Sequence, residues 1–493
     1  MSKSAQRATE FKRELGLLDS TMIVIGSMIG SGIFIVSADI ARTVGSPGYL
    51  LVTWLATGAL TVIAALSYGE LGCMMPQAGG QYVYLREAYS PLVGFLYGWT
   101  LFLVIQTGTI AAVAVAFAKF TAVLVPSLGE ASIVFAAGSF KVSAAQVVAI
   151  GSVVLLTAIN LRGIHGGKIV QDVFTITKIA AILGLILLGI VVGRNHEAVA
   201  ANLARFWDAS WTHVADGKVV AVESLSSLMI PAAIGVAMVG SLFSSDAWYD
   251  LTFDAGEVVD PRRTIPRALA LGTVIVCAIY ILVNVAYILL LPLAGDPGAA
   301  TAAGRGIQFA ANDRVGTAAA SMIFGPTAGV IMACLIMVST FGCNNGLVIS
   351  GARVYYAMAR DGLFFKRAGE LNGRAVPGIA LVVQAAWASA LCLSGTYGDL
   401  LDYVIFAALV FFALTVAGVF VLRAKRPDAP RPYRALGYPV LPALYVLAAL
   451  AIAADLLVFK PRYTWPGLVI VLAGVPVYFL WRRMGSAGKG AGR

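Results

Sequence analysis

Residues 22–38 read MIVIGSMIGSGIFIVSA, an apolar stretch long enough to begin crossing a bilayer, whose centre is Gly26-Ser27-Met28-Ile29-Gly30-Ser31-Gly32. Glycine and serine weaken a helix, and hydrocarbon offers no water to replace the lost intrahelical bonds. Such a break is tolerated in a membrane only where the freed N–H and C=O groups line a cavity or meet a ligand. The stretch therefore implies a polar ligand held at mid-membrane, and carriage of that ligand across the bilayer is the first reading.

The rest of the chain fits that setting. Of 493 residues, 59% are hydrophobic and 12% charged, and the mean hydropathy is +0.86, against roughly 25% charged in soluble domains. Apolar runs of about 20 residues number twelve, centred near 28, 61, 106, 153, 181, 238, 279, 338, 387, 412, 449 and 472. The intervals 194–225 and 294–320 read as surface loops, and no separable soluble domain remains. The polar, basic residues 1–14 lead into the first span without a cleavage site of small residues, so no removed signal peptide is expected.

With the N-terminus inside, 24 of the 35 Lys and Arg fall on the inner side, 10 on the outer side, and Lys178 alone within a span. Cytoplasmic loops carry the excess of positive charge, so both termini are expected in the cytoplasm of a multi-pass protein of the cell inner (plasma) membrane. The net charge of +10 is then this bias together with attraction to an anionic leaflet, not a nucleic-acid footprint. The five cysteines sit in or beside spans without C-x-x-C spacing, and His165, His196 and His213 form no i, i+4 pair. No metal site and no cofactor are expected.

A second break occurs in the sixth span: Gly240-Ser241-Leu242-Phe243-Ser244-Ser245-Asp246-Ala247-Trp248 matches 26–34 at Gly26/Gly240, Ser27/Ser241 and Ser31/Ser245. Five spans separate the breaks, the spacing of a five-plus-five inverted repeat, in which paired broken helices meet at the midplane. One membrane domain over 1–493 is expected: a cytoplasmic tail 1–14, a first repeat 15–193, a second repeat 226–425, two further helices in 438–484 and a cytoplasmic tail 485–493.

Several motifs together carry a resemblance. They are GSMIGSGIF in the first span, Pro76-Gln77-Ala78-Gly79-Gly80-Gln81-Tyr82-Val83-Tyr84 after the second, and SLFSSDAWYDLTFDAGEV in the sixth. Asp260-Pro261-Arg262-Arg263 and Ile265-Pro266-Arg267 follow, then FGCNNG in the eighth span with Ala359-Arg360-Asp361-Gly362. In this order the chain resembles an amino acid permease of the amino acid, polyamine and organocation superfamily, closest to bacterial L-type members and to basic-amino-acid antiporters. The resemblance implies an all-α, twelve-helix, leucine-transporter-like fold with discontinuous helices 1 and 6.

An α-amino acid needs fixed donors and acceptors side by side, and a broken helix supplies both. The half-helix starting at Ser31, Gly32 and Ile33 offers N–H groups and a positive dipole end to the carboxylate, and glycine lets the ligand approach the backbone. The resemblance implies this role for Gly30, Ser31 and Gly32, with the ammonium accepted by carbonyls of Met28, Phe243, Ser244 and Asp246. It further implies that Phe243 is an aromatic gate closing over the substrate from outside.

Lys178 lies nine residues into a span starting near Ile169, where a lysine costs roughly 2.5 to 3.5 kcal/mol on insertion scales and must find acceptors within the bundle. The resemblance implies that this lysine replaces the sodium of sodium-coupled relatives, tying the first span to the eighth. Its expected partners are carbonyls near Met28 and Ile29 and the hydroxyl of Ser339 or Thr340. Such an ammonium also offers a route to proton coupling. Asp246 stands where neutral-substrate eukaryotic L-type members carry glycine. It could meet the substrate ammonium, a cationic side chain or Lys178, or carry a proton, while Asp250 and Asp254 are expected nearer the cytoplasmic exit.

Residues 76–90, with Pro76, Tyr82, Tyr84 and Tyr89, read as an interfacial or re-entrant gate segment. The outer loop near 126–142 lacks the cysteine with which eukaryotic L-type light chains join a glycoprotein, so no disulfide-linked heavy chain is expected. No H-E-x-x-H, G-x-S-x-G or DDxxD cluster suggests an enzyme, and no ringed polar pore suggests a channel. The expectation is a secondary transporter of L-α-amino acids working by alternating access, sodium-independent, as an antiporter or linked to protons. A sodium-coupled symporter is the alternative, and a channel or amino acid sensor the distant one.

Overall fold

A computed structural model describes residues 11–138, 140–215, 218–394, 397–459 and 461–490. Residues 1–10 of the expected N-terminal tail, Lys460 of the outer-side charges and residues 491–493 of the expected C-terminal tail lie outside the described residues.

Helix α1 (Leu17–Met28) stops at Ile29, which is extended at φ −79° and ψ 95°. One 3₁₀ turn, Gly32–Phe34, precedes α2 (Ser37–Val44). Helix α3 (Pro47–Met74) begins on a Ser46 cap with proline in its first turn. A short buried helix, α4 (Gly80–Ala88), leads to α5 (Pro91–Thr100), which runs through one π turn, Leu101–Ile105, into α6 (Gln106–Leu124). Next come strands β1 (Ile133–Ala137) and β2 (Phe140–Ser143), then α7 (Ala144–Asn160), α8 (Ile164–Val191) and α9 (His196–Ala204). Strands β3 (Ser210–Ala215) and β4 (Lys218–Ser224) precede α10 (Ile230–Ser244), the single turn α11 (Asp250–Phe253) and α12 (Pro261–Leu290). The chain closes with α13 (Ala302–Arg305), α14 (Val315–Phe324), α15 (Ala328–Arg360), α16 (Gly378–Ser394), α17 (Tyr397–Lys425), α18 (Val440–Phe459) and α19 (Pro461–Gly490).

Among the described residues eight helical stretches are long and apolar enough to cross a membrane, and four shorter apolar helices, α1, α7, α10 and α16, accompany them. Helix α1 packs against α8, α12 and α15, and α10 against α2, α3, α17 and α18, so both broken helices occupy the middle of the bundle.

The described residues are mostly helical, as expected, with two antiparallel hairpins among them, β1–β2 and β3–β4. Other readings change. The interval 194–225 is not plain loop: Thr212, Val214, Val219, Val220 and Val222 supply the β-branched residues that favour strands. Segment 76–90 folds around α4 with Tyr82 and Tyr84 fully buried, which removes the interfacial pose for these two and leaves the re-entrant alternative. Three polar ends of the segment find partners: Tyr82 donates to Asp361 Oδ2 at 2.7 Å, Arg86 pairs with the same carboxylate, and Tyr89 donates to the Leu414 carbonyl at 2.8 Å. Helix α19 continues to Gly490, so the described part of the expected tail 485–493 is helical.

Candidate functional site

A helix that ends inside a membrane leaves its last four carbonyls without intrahelical donors, and each needs a partner. At the end of α1 every one of them is met by a side chain from another helix. Lys178 Nζ, at the middle of α8, donates to Gly26 O at 2.6 Å and Ile29 O at 2.7 Å. Cys343 Sγ of α15 donates to Ser27 O at 3.0 Å, and the Tyr280 hydroxyl of α12 lies 3.1 Å from Met28 O. Ser339 Oγ of α15 reaches Ile29 O at 3.2 Å and Gly30 O at 2.9 Å. Lys178 is 1% exposed, so its desolvated ammonium is balanced by carbonyl dipoles.

The second break is built from its own sequence. Helix α10 ends at Ser244, the N–H of Asp246 donates to Phe243 O at 3.2 Å, and Ala247 turns left-handed at φ 64° before α11 starts. The two breaks touch: a Cβ added to Gly32 would lie 2.1 Å from Ser244 Oγ and 3.1 Å from Ser244 Cα. The Tyr280 hydroxyl also lies 2.9 Å from Ser244 O, so one phenol can donate to either break. The Ser244 hydroxyl itself is buried without a hydrogen-bond partner among the described residues. Space here is small, with a cavity of about 20 Å³ beside Asp246, bounded by Thr61, Trp248, Phe412 and Tyr445.

Below the second break a buried ion network ties α11 and its following turn to α15. Arg353 donates to both Glu257 oxygens at 3.0 Å, lies 3.3 Å from Asp254, and Ser350 donates to Asp254 at 2.5 Å. The chain ahead of α1 joins in, since the N–H groups of Glu14 and Leu15 both lie 2.9 Å from Glu257 O and Val259 N–H returns to Leu15 O at 2.8 Å. Lys168 pairs with Asp19 at 2.9 Å, fastening α8 to the first turn of α1.

The structure brings together Met28, Gly30, Ser31, Gly32 and Ile33 on one break, Phe243, Ser244 and Asp246 on the other, and Lys178 and Ser339 beside the first. All are buried. It places two expected partners differently. Thr340 turns its hydroxyl back onto Ile336 O of its own helix at 2.7 Å, the usual habit of a helical threonine. Lys178 grips Gly26 rather than Met28, whose carbonyl faces Tyr280. Asp254, expected only as an exit residue, is held by Arg353 and Ser350. Tyr280, Cys343 and Arg353 were not legible as site residues. A lone tyrosine or cysteine in an apolar run reads as packing, and Arg353 reads as one more inner-loop cation.

A bundle of membrane-length helices in which two interrupted helices meet, with their loose ends satisfied by side chains from neighbouring helices, defines a multi-pass membrane transporter. Comparison with known proteins narrows the class. The profile of the amino acid permease family matches residues 15–478. The chain is 31% identical over 474 residues to the large neutral amino acids transporter small subunit 2 of Homo sapiens, covering 95% of this chain and 80% of that protein. It is 31% identical over 471 residues to the serine/threonine exchanger SteT of Bacillus subtilis, covering 95% and 96%. Against the b(0,+)-type amino acid transporter 1 of Homo sapiens the identity is 27% over 492 residues, covering 96% and 89%. The chain belongs to the amino acid permease family and is an amino acid transporter.

Proposed function

We propose that this protein exchanges L-α-amino acids across the cell membrane by alternating access, without sodium. The observation that carries this reading is Lys178, whose ammonium sits on the carbonyls of Gly26 and Ile29 while Ser339 of α15 donates to Ile29 and Gly30. A lysine side chain seated on these carbonyls leaves no vacancy for a sodium ion to bind and energise transport. The substrate carboxylate is assigned to the N–H groups of Gly30, Ser31, Gly32 and Ile33, and the ammonium to carbonyls of Met28, Phe243, Ser244 and Asp246. Phe243, in the last turn of α10, is the outer gate.

The eight long and four shorter apolar helices among the described residues support twelve spans, read as repeats 15–193 and 226–425, and the inner-side excess of Lys and Arg supports cytoplasmic termini. The names of the relatives, a serine/threonine exchanger and a transporter of large neutral amino acids, support exchange and an amino acid cargo. The human relative's name also speaks of a small subunit. Residues 126–142 hold no cysteine here, which supports operation without a disulfide-linked heavy chain. No catalytic step is assigned.

The test is uptake of labelled amino acids by purified protein in liposomes, with external sodium replaced by choline. Equal rates in the two buffers are expected, and loss of uptake in choline overturns the sodium-free reading.

A further inference from the structure

We propose that Gln171 is a positioning residue for Lys178: its amide, fixed by Asn345 and Asn160, is the stop against which α1 lies, and it sets which carbonyls of α1 the ammonium meets. This rests on the reading that Lys178 stands on those carbonyls in place of sodium, and adds what keeps α1 in register with it.

Three buried amides from three helices form one ladder. Asn160 Nδ2 of α7 donates to Leu156 O at 2.9 Å and to Asn345 Oδ1 of α15 at 3.0 Å. Asn345 Nδ2 donates to Gly167 O at 2.9 Å and to Gln171 Oε1 of α8 at 3.0 Å. Asn160, Asn345 and Gln171 are 3%, 0% and 0% exposed. A backbone carbonyl only accepts, so Leu156 O and Gly167 O fix which way both asparagines point, and Gln171 must turn its oxygen to Asn345. Its nitrogen is left for α1, where a Cβ added to Gly26 would collide with it and with Thr175 Oγ1. Only glycine lets α1 lie this close to α8.

The polar face of α8 meets one stretch of α1. Gln171 lies against Gly26, Thr175 donates to Met22 O at 3.4 Å, and Lys178 donates to Gly26 O and Ile29 O. Lys178 alone does not set this register, because an ammonium on a flexible stem with rotatable donors follows α1 through a small slide. The ladder does not follow, since the partners of all three amides belong to α7, α8 and α15. A second observation shows how the stop acts. Gln171 Nε2 and Ser27 Oγ are both buried without a hydrogen-bond partner among the described residues, although a Cβ added to Gly346 would lie 3.2 Å from the first and closer still to the second. The amide therefore limits α1 by contact and not by a bond, which positions a moving element without tethering it. The eighth-span motif gains roles at three of its residues: Cys343 donates to Ser27 O, Asn345 holds Gln171, and Gly346 leaves room for Ser27 and Gln171 together.

The test is a double-mutant cycle on turnover. Full-length protein in sodium-free liposomes, preloaded with a mixture of the protein L-amino acids, exchanges the same mixture in labelled form, and the melting temperature is measured alongside. Gln171→Leu keeps the bulk and removes the amide. It is expected to lower turnover at least about tenfold when Lys178 is present and less than about twofold further in the Lys178→Met background, because residues acting on a shared partner do not add. Asn345→Leu, which frees the Gln171 amide, is expected to give the same pattern. Asn202→Leu is the comparison for packing alone: it removes buried bonds from α9 to Ile288 O, Leu291 O and Leu293 N–H at the C-terminal end of α12, and is expected to lower the melting temperature with less than about a twofold loss of turnover. Normal turnover in Gln171→Leu, losses that multiply in the double variant, or an equal loss in Asn202→Leu at the same melting temperature overturns the positioning role. Full turnover in Lys178→Met overturns the reading of Lys178 instead; the ladder alone fails when Lys178→Met is impaired and Gln171→Leu is not. If Gln171→Leu fails to insert, Gln171→Asn, which keeps the amide but draws it back by one methylene, decides by the same two ratios. Exchange of no labelled amino acid by the wild type overturns the transport reading itself.

Discussion

At the scale of single residues, the site depends on glycine for proximity and on single side chains for each orphan carbonyl. Gly32 faces Ser244 so closely that a Cβ added there would stand 2.9 Å from Ser244 Cβ and 2.1 Å from its hydroxyl. Gly32→Val is therefore expected to abolish uptake while membrane insertion and expression remain, and normal transport by that variant would remove the carboxylate assignment. Tyr280 spans the two breaks through one oxygen. Tyr280→Phe removes the one O–H that the Met28 and Ser244 carbonyls share, at a cost of about 1 to 3 kcal/mol for the buried carbonyl left unpaired. A lowered melting temperature together with reduced turnover is expected. A variant with wild-type stability and rate would show that the phenol is idle.

At the scale of elements, the two interrupted helices were legible in the sequence because each of their residues carries a cost in a membrane. Gly26, Gly30, Gly32 and Lys178 cannot pass as ordinary lipid-facing choices. What answers them was not legible. Tyr280 and Cys343 carry no penalty in an apolar helix, and only tertiary packing aims them at the carbonyls of Met28 and Ser27. Helix α4 shows the same limit: its tyrosines are interfacial by composition, but only the fold shows Tyr82 and Tyr84 buried, with Tyr82 and Arg86 reaching the exposed carboxylate of Asp361. The hairpin β3–β4 was missed because short strands in a polar interval give a weak period. Phe243 belongs at this scale, since it ends α10 and is 7% exposed. Phe243→Ala should raise the half-saturation concentration for uptake several-fold if the end of α10 closes over the substrate, and an unchanged value assigns Phe243 to packing alone.

At the scale of the whole molecule, one face of the bundle is fastened by polar contacts between elements that must separate for alternating access. Glu14 and Leu15 bind the Glu257 carbonyl, Arg353 holds Glu257 and Asp254, and Lys168 holds Asp19. Lys178 and Ser339 link α1 to α8 and α15 at depth, so motion of α1 must break charge-assisted bonds and cannot be isotropic loosening. Lys178→Met removes the ammonium but keeps the length of the side chain. It is expected to lose most turnover, because two carbonyls are left unpaired at about 1 to 3 kcal/mol each. If the same ammonium carries a coupled proton, wild-type uptake rises as external pH falls and the dependence disappears in Lys178→Met. A flat profile in both keeps the link and removes the proton. The most direct measurement of the central claim is exchange in sodium-free proteoliposomes, with labelled amino acid outside and unlabelled amino acid either present or absent inside. The account predicts rapid uptake only into preloaded liposomes, unaffected by adding sodium and lost in Lys178→Met. Uptake that needs sodium, or full activity in Lys178→Met, would contradict it.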